Sequence, residues 1–187
     1  MNFANKISMF RILCVPFFVA SLIYYSPEKD YFRFIALGIF VLGVISDAVD
    51  GFVARISKQT SKAGLVLDPL GDKLLLMGAF IFLSEASKLP LKFPLWITLV
   101  VISRDIIILL GTVLIFMIKQ KLDIYPTKWG KVTTVFQMSS VICLLLNFKF
   151  SGVVWYAAVI FTLVSGADYI RRGFKILYAV DNNRIIG

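Results

Sequence analysis

The chain contains no histidine among its 187 residues. This absence excludes Ser-His-Asp and Cys-His catalysis and every histidine-ligated metal site. Its two cysteines, Cys14 and Cys143, lie singly inside apolar runs, so they provide neither a disulfide framework nor the spacing of metal ligands. Any proton transfer must therefore depend on a carboxylate, a lysine or a tyrosine.

Acidic residues are also few, with 11 aspartates and glutamates against 20 lysines and arginines and a net charge of +9. Hydrophobic residues make up 59% of the chain, more than a soluble core of this size can bury. The basic residues cluster between apolar runs, which favours anionic lipid headgroups as neighbours and argues against nucleic acid. The composition therefore predicts an integral membrane protein.

The apolar runs predict an all-α integral membrane protein with six transmembrane helices, preceded by a short interfacial segment at residues 1–6. No small-residue cleavage site follows the first run, so we interpret it as a retained span and not as a signal peptide. A single membrane domain is expected to cover residues 1–187. The predicted spans are residues 7–25, 34–54, 64–83, 93–118, 132–146 and 152–170.

The distribution of basic residues predicts the orientation of these spans. Most lie at the termini and in the links after the second and fourth spans, which the positive-inside rule assigns to the cytoplasm. We therefore expect both termini and the link at residues 55–63 to face the cytoplasm, in the cell (inner) membrane. The basic residues on this side are Lys6, Arg11, Arg55, Lys58, Lys62, Lys119, Lys121, Lys128, Lys131, Arg171, Arg172, Lys175 and Arg184. Those on the opposite side are Lys29, Arg33, Lys88, Lys92 and Lys149.

Four of the 11 acidic residues lie in residues 47–72, at Asp47, Asp50, Asp68 and Asp72. On a helix, the first two share one stripe with a glycine and an alanine, at i, i+3, i+4 and i+7, and the last two follow Gly64 at i+4 and i+8. Small residues beside the acids let a ligand or a facing helix approach the carboxylates.

Carboxylates gathered in this way repel one another unless a cation lies between them. An oxygen-only ligand set indicates a hard ion such as Mg²⁺, Mn²⁺ or Ca²⁺, and four acids suffice to bridge two ions for displacement at phosphorus. An alternative for Asp68, which precedes Pro69, is that it also caps a helix.

Written out, residues 47–72 read D-x2-D-G-x2-A-R-x8-G-x3-D-x3-D. This pattern resembles the signature of the CDP-alcohol phosphotransferase (phosphatidyltransferase) family at every defined position. The resemblance implies a displacement at the β-phosphorus of a CDP-linked lipid by an alcohol, with CMP as the leaving group and two Mg²⁺ or Mn²⁺ ions bound. It assigns Asp47, Asp50, Asp68 and Asp72 to the metals, Asp72 also as general base, and Gly51, Ala54, Arg55 and Gly64 to the CDP moiety.

Three further segments resemble the phosphatidylglycerophosphate synthases of this family. Asn5 to Pro16 resembles their N-terminal segment, although Ala4 and Ser8 replace its proline and threonine; the likeness places Asn5 at the CDP moiety, and we expect Arg11 to face the site. The segments at residues 130–134 and 165–169 resemble the entry to their fifth span and their last span. The acceptor candidates that follow from the last two segments are Lys131, Arg171 and Arg172, each with the alternative of an interfacial anchor. A fourth candidate is Arg104, chosen because it lies within a predicted span, with the alternative of a structural ion pair.

Arg104 precedes Asp105 inside the fourth predicted span. Since adjacent residues on a helix point about 100° apart, we do not expect the two to pair, and we expect Arg104 to face the cavity. Many phosphatidylglycerophosphate synthases carry Arg-Glu here, and Arg-Asp looks more like the eukaryotic-type cardiolipin synthases of the family. The resemblance is therefore looser at the acceptor than at the donor.

The reading favoured by the resemblance is transfer of phosphatidyl from CDP-diacylglycerol to sn-glycerol 3-phosphate, by a homodimer embedded among membrane lipids. Alternatives within the family use phosphatidylglycerol, serine or inositol phosphate as the acceptor. Membrane prenyltransferases also use two aspartate-rich motifs, but theirs lie far apart in longer chains. A cation transporter is disfavoured because it needs acids along an ion path across the membrane, whereas the acids of this chain gather at one face.

Overall fold

The computed structural model describes the backbone of residues 3–57, 64–119 and 127–185, and the side chains of residues 9–46, 73–111 and 127–173. All regular structure in these ranges is helical, with six long helices and no strand, which confirms the all-α prediction. The helices are α1 (Phe3–Ile23), α2 (Tyr31–Ser57), α3 (Gly64–Glu85), α4 (Leu95–Lys119), α5 (Lys128–Leu145) and α6 (Ser151–Ile185), with a short 3₁₀ helix at Pro27–Lys29.

Local residue chemistry explains both ends of α5. Its N-cap is Thr127, whose hydroxyl accepts a hydrogen bond from the backbone N–H of Gly130 at 3.0 Å. At the other end Asn147 adopts a positive φ of 54°. The N–H groups of Asn147 and Phe148 then reach back to the carbonyls of Leu144 and Cys143, each at 2.9 Å, which is a Schellman motif.

The six helices form two groups. In the first, which we call the N-terminal half, α1 packs against both α2 and α3. In the second, the C-terminal half, α6 packs against both α4 and α5. The halves meet through smaller contacts between α3 and α4, between α2 and α5 and between α3 and α5, including a hydrogen bond from the Thr98 hydroxyl to the Phe80 carbonyl at 3.3 Å.

Apolar side chains hold the N-terminal half together. Phe18 of α1 and Phe40 of α2 are almost completely buried, with ring centroids 5.9 Å apart. Around the junction with the C-terminal half, Phe93 stacks on Phe80 at 4.6 Å and meets the edge of Trp155 at 5.1 Å. These offset and edge contacts are the preferred geometries of aromatic pairs.

Polar side chains are buried between α5 and α6. The Gln137 amide donates to the Thr162 hydroxyl at 3.0 Å, and the Thr133 hydroxyl donates to the Phe161 carbonyl at 2.9 Å. Large apolar side chains instead cover much of the outer surface, and Leu99, Val153 and Ile160 are all at least 60% exposed. Polar contacts inside and apolar groups outside are the arrangement expected of helices that pack in lipid.

One helical segment with described side chains, Ser151–Gly173, is long and apolar enough to cross a membrane, whereas Met9–Ile23 and Tyr31–Ser46 are shorter apolar segments. The helices coincide with the six predicted spans but extend beyond several of them. Residues 3–6, expected at the interface, form the first turn of α1. The 35 residues of α6 give a length of about 52 Å, more than the hydrocarbon thickness of a bilayer.

Candidate active site

The aspartate signature is divided between the end of α2 and the beginning of α3. Asp47 and Asp50 lie in the last three turns of α2, and Asp68 and Asp72 in the first three turns of α3. The alternative that Asp68 caps a helix is wrong, because α3 already begins at Gly64. Both helices pack on α1, and only residues 58–63 separate the end of α2 from the beginning of α3, so the two parts of the signature lie at adjoining helix ends.

The side chains of these four aspartates fall outside the described ones, as do those of Asn5, Ala54 and Arg55. Among the side chains that are described, no three histidine, cysteine or acidic groups come together as a metal site. The metal and CDP assignments of the signature therefore stay predictions.

Arg11 of α1 packs against the part of α2 that precedes the signature, and it is buried, with 2% of its surface exposed. Its Cγ lies 3.9 Å from where a Cβ would stand on Gly43 of α2, one turn before Asp47. The side chain of Leu75 from α3 fills the remaining space over Gly43, because a Cβ there would overlap its Cδ2 atom. The absence of a side chain at Gly43 thus lets α1, α2 and α3 meet closely beneath the signature.

A buried charge cluster lies between α3 and α4. The Oδ1 atom of Asp105 accepts from the Lys73 ammonium and from Nη1 of Arg104, both at 2.6 Å. The side chain of Asp105 is 1% exposed and that of Arg104 is 8% exposed. The expectation that Arg104 and Asp105 do not pair is wrong, since the long arginine side chain curls back to the carboxylate of its own neighbour.

The guanidinium of Arg104 is also held from α6 and approached by α5. Its Nη2 atom donates to the Ser165 hydroxyl at 2.7 Å. A Cβ on Gly130, in the first turn of α5, would stand 3.5 Å from the same Nη2 atom, and a Cβ on Gly166 would stand 3.6 Å from the arginine Cγ. Glycines at these positions leave the room that the arginine occupies between α4, α5 and α6.

Two cations share one carboxylate in this cluster, so Lys73, Asp105 and Arg104 together carry a net charge of +1. The cluster lies beside the first turn of α5, whose backbone N–H groups add partial positive charge. Uncompensated buried charge is unfavourable. The arrangement therefore favours an anion at this end of the C-terminal half.

The other basic candidates lie nearer the surface. Lys131, directly after Gly130, is exposed, and so are Arg171 and Arg172 on α6. Arg172 donates to Asp168 at 3.1 Å, and it follows Ser165 by seven residues, so the two share a face about 10 Å apart along the helix. Arg171 falls on a different face. The structure thus places Arg172 on the side of α6 that carries Ser165, without direct contact to Arg104.

Comparison with known proteins identifies the family. The family model for CDP-alcohol phosphatidyltransferase matches residues 1–164. The chain belongs to this family. As a CDP-alcohol phosphatidyltransferase with one clear candidate span in its described part, it is a membrane protein of the transferase class.

Three relatives match this CDP-alcohol phosphatidyltransferase along nearly its whole length. The "CDP-diacylglycerol--glycerol-3-phosphate 3-phosphatidyltransferase" of Aquifex aeolicus is 32% identical, over 95% of this chain and 99% of the relative. The protein of that name from Bacillus subtilis is 30% identical, over 94% and 97%. A "Probable phosphatidylglycerophosphate synthase" of Mycobacterium tuberculosis is 29% identical, over 93% and 82%. The predicted family is therefore confirmed.

Sequence reasoning missed Lys73. It lies inside the third predicted span, as Arg11 and Arg104 lie inside the first and the fourth. A charged group within a span is costly unless it is paired, so it indicates a functional or structural partner by default. The sequence contains this signal, but it does not show that the partner is Asp105, which lies 32 residues away on another helix.

Proposed function

We propose that this phosphatidyltransferase transfers the phosphatidyl group of CDP-diacylglycerol to sn-glycerol 3-phosphate, forming phosphatidylglycerophosphate and CMP. The observation that carries the acceptor assignment is the buried Arg104, held by Asp105 and Ser165 in a cluster of net positive charge. A guanidinium fixed in this way suits a phosphate group. The names of the relatives from Aquifex aeolicus and Bacillus subtilis support the same donor and acceptor.

The donor half of the reaction belongs to the signature. Asp47, Asp50 and Asp68, together with Asp72, would hold two Mg²⁺ or Mn²⁺ ions, which suit an oxygen-only ligand set. When bound, these ions neutralise the pyrophosphate and make its phosphorus a better electrophile. The position of all four acids at the adjoining ends of α2 and α3 supports this assignment.

We assign the proton transfer to Asp72, which takes the proton of the acceptor hydroxyl while the oxygen of that hydroxyl attacks the β-phosphorus. The bond from this phosphorus to the bridging oxygen breaks, and CMP leaves. Arg55 pairs with the pyrophosphate. The residues that admit or contact the cytidine and ribose are Asn5, Gly51, Ala54 and Gly64.

In the acceptor half, Arg104 binds the phosphate of glycerol 3-phosphate from within the bundle. Lys131 lies at the first turn of α5, and Arg172 shares the Ser165 face of α6. Both supply positive charge at the entrance. We assign Arg171, on a different face of α6, to the neighbouring headgroups.

We further propose that all six helices span the inner membrane, with both termini and the site on the cytoplasmic side, and that the enzyme is a homodimer. The excess of basic residues at the ends of α2, α4 and α6 supports this orientation. The exposed apolar surface of the helices supports contact with lipid and with a second copy.

The test measures CMP release by purified protein supplied with CDP-diacylglycerol and Mg²⁺ or Mn²⁺. We expect release to require glycerol 3-phosphate and to cease when the metal is chelated. Release that requires serine or inositol phosphate would overturn the acceptor assignment. Absence of release with every acceptor would overturn the enzyme assignment and leave a cation transporter as the better reading.

A second candidate function is cardiolipin synthesis with phosphatidylglycerol as the acceptor. The Arg104-Asp105 pair favours it, because this dipeptide resembles the cardiolipin synthases of the family. Its acceptor carries a phosphodiester, which also suits a fixed guanidinium. CMP release with phosphatidylglycerol and not with glycerol 3-phosphate would establish this alternative.

A further inference from the structure

Asp105 joins the two halves of the molecule through a single oxygen atom. Its Oδ1 accepts from Lys73 of α3 and from Arg104 of α4, and Arg104 continues the connection to Ser165 of α6. The result is a continuous chain of hydrogen bonds across three helices. Lys73 directly follows Asp72, so this chain begins beside the donor half of the site and ends in the acceptor half.

Asp105 determines where the Arg104 guanidinium lies. Consecutive residues of a helix diverge by about 100°, so the arginine reaches its neighbour only by folding back along α4. With Nη1 bound to Asp105 and Nη2 bound to Ser165, the planar group is held at two corners. If Asp105 is lost, Ser165 alone holds the guanidinium, and the group can rotate about that bond.

Lys73 in turn holds Asp105. The Lys73 ammonium lies 2.6 Å from Oδ1 of Asp105, and the lysine side chain is 24% exposed. The lysine therefore covers the carboxylate on the side that faces α3. Lys73 also contributes one of the two positive charges in the cluster. Removing it lowers the net charge of the cluster from +1 to zero.

We propose that Asp105 is a positioning residue that orients Arg104 toward the acceptor phosphate, and that Lys73 acts on the acceptor through Asp105 although it lies beside the donor half. This inference rests on the proposed function, because it requires an acceptor that carries a phosphate. It assigns to Asp105 and Lys73 no contact with substrate. Both act through Arg104.

The experiment compares the KM for glycerol 3-phosphate and the KM for CDP-diacylglycerol in Asp105→Asn, Lys73→Met, the double variant and Asp105→Glu. For Asp105→Asn we expect the acceptor KM to rise about 10- to 100-fold, because the neutral amide oxygen still accepts but no longer makes charge-assisted hydrogen bonds to the two cations and so holds the guanidinium less firmly. The donor KM should change less than about threefold. Lys73→Met should raise the acceptor KM in the same direction. The double variant should be no worse than Asp105→Asn alone, because both residues act through one guanidinium.

The sign of the Asp105→Asn effect separates positioning from simple charge. A role limited to electrostatics predicts a lower acceptor KM, because removing a negative charge beside Arg104 strengthens the attraction for a phosphate. Asp105→Glu keeps the charge and should restore most of the acceptor affinity. A lowered acceptor KM in Asp105→Asn, or a Lys73→Met effect confined to the donor KM, would overturn the proposal.

Asp30→Asn is the control for the general effect of breaking an ion pair. Asp30 lies in the link between α1 and α2 and binds Arg33 at 2.7 Å. The two KM values of this variant should match those of the native protein. If Asp105→Asn does not fold, Ser165→Ala replaces it, because this variant removes the other hydrogen bond to the guanidinium without changing any charge. Positioning predicts a raised acceptor KM with an unchanged donor KM, whereas an unchanged acceptor KM would contradict it.

The failure of the proposed function gives a different result. Native protein that releases no CMP with glycerol 3-phosphate contradicts that function, and the variants are then compared with phosphatidylglycerol, whose phosphodiester would meet Arg104. Native protein that is active while all four variants keep the native acceptor KM contradicts the positioning role alone.

Discussion

The two halves of the molecule differ in how many helices supply their site residues and in which side chains pack their helices together. The N-terminal half carries the four signature aspartates on two consecutive helices and packs through apolar groups such as Phe18 and Phe40. The C-terminal half draws its site groups from α4, α5 and α6 and packs through buried hydrogen bonds such as Gln137 to Thr162.

This difference follows from what each half is proposed to bind. Carboxylates that share metal ions must be held close against their mutual repulsion, and helix periodicity sets their spacing within a short stretch. A phosphate on an acceptor can instead be surrounded by single cations from several helices. Changes in the N-terminal half should therefore mainly alter catalysis at the donor, except at Lys73, which contacts Asp105 of the other half. Changes in the C-terminal half should mainly alter acceptor affinity.

The largest effect is expected for Asp72→Asn, which should lower kcat about 10²- to 10⁴-fold, the usual contribution of a general base. The measurement is CMP release at saturating concentrations of both substrates. Asp30→Asn, in the link between α1 and α2, is the matched control and should keep its kcat within about twofold of native. A native rate in Asp72→Asn would remove the catalytic assignment from the N-terminal half.

Next in size, Arg104→Lys should lower kcat/KM for the acceptor about 10- to 100-fold, because a lysine cannot keep both the Asp105 and the Ser165 bonds in the same plane. Arg172→Lys is the comparison within the same half. It is exposed and bound only to Asp168 among the described groups, so we expect less than about a threefold change. Equal effects at the two positions would indicate that the exposed Arg172 contributes as much to acceptor binding as the buried Arg104.

A stability effect is expected for Gly43→Ala, because the added Cβ overlaps Leu75 where α1, α2 and α3 meet. Overpacking of this kind costs about 1–3 kcal/mol in the free energy of unfolding, against about 1 kcal/mol gained when alanine replaces a helical glycine, so the loss is measured relative to the control. Gly38→Ala, on the same helix, is the control, since nothing lies within 4 Å of its Cβ position. Denaturant unfolding in detergent should show a loss for Gly43→Ala and no loss for Gly38→Ala.

The smallest effect concerns the polar packing of the C-terminal half. A double-mutant cycle with Gln137→Leu and Thr162→Val should give a coupling of about 0.6 kcal/mol, the average for hydrogen bonds between membrane helices. The same unfolding measurement applies. A coupling indistinguishable from zero would show that this hydrogen bond adds nothing to the packing of α5 against α6, and would weaken the contrast with the N-terminal half.

Helix boundaries show how far the sequence pattern reached. The predicted fifth span begins at residue 132, whereas α5 begins at Lys128 because the Thr127 side chain caps it. The sixth was predicted to end at residue 170, whereas α6 continues to Ile185. In both cases the apolar pattern marks only the part of the helix expected in lipid, and at α5 the cap hydrogen bond sets where the helix begins.

Arg104 and Asp105 show where local reasoning fails. The angle between adjacent residues on a helix predicted no pairing, yet their side chains meet at 2.6 Å. Backbone geometry fixes the Cβ directions, but an arginine side chain is long enough to return to its neighbour when other helices occupy the remaining directions. Ser165 and Gly130 limit those directions, and neither is near Arg104 in sequence.

The amino-acid sequence by itself determined the family, the helical class and the spacing of the four aspartates, because these depend on residue identity and on a helix period that acts over a few residues. Only the tertiary structure decided that Lys73, Asp105, Arg104 and Ser165 form one connected cluster. Two of its hydrogen bonds join residues 32 and 61 positions apart, and such partners are selected by how whole helices pack.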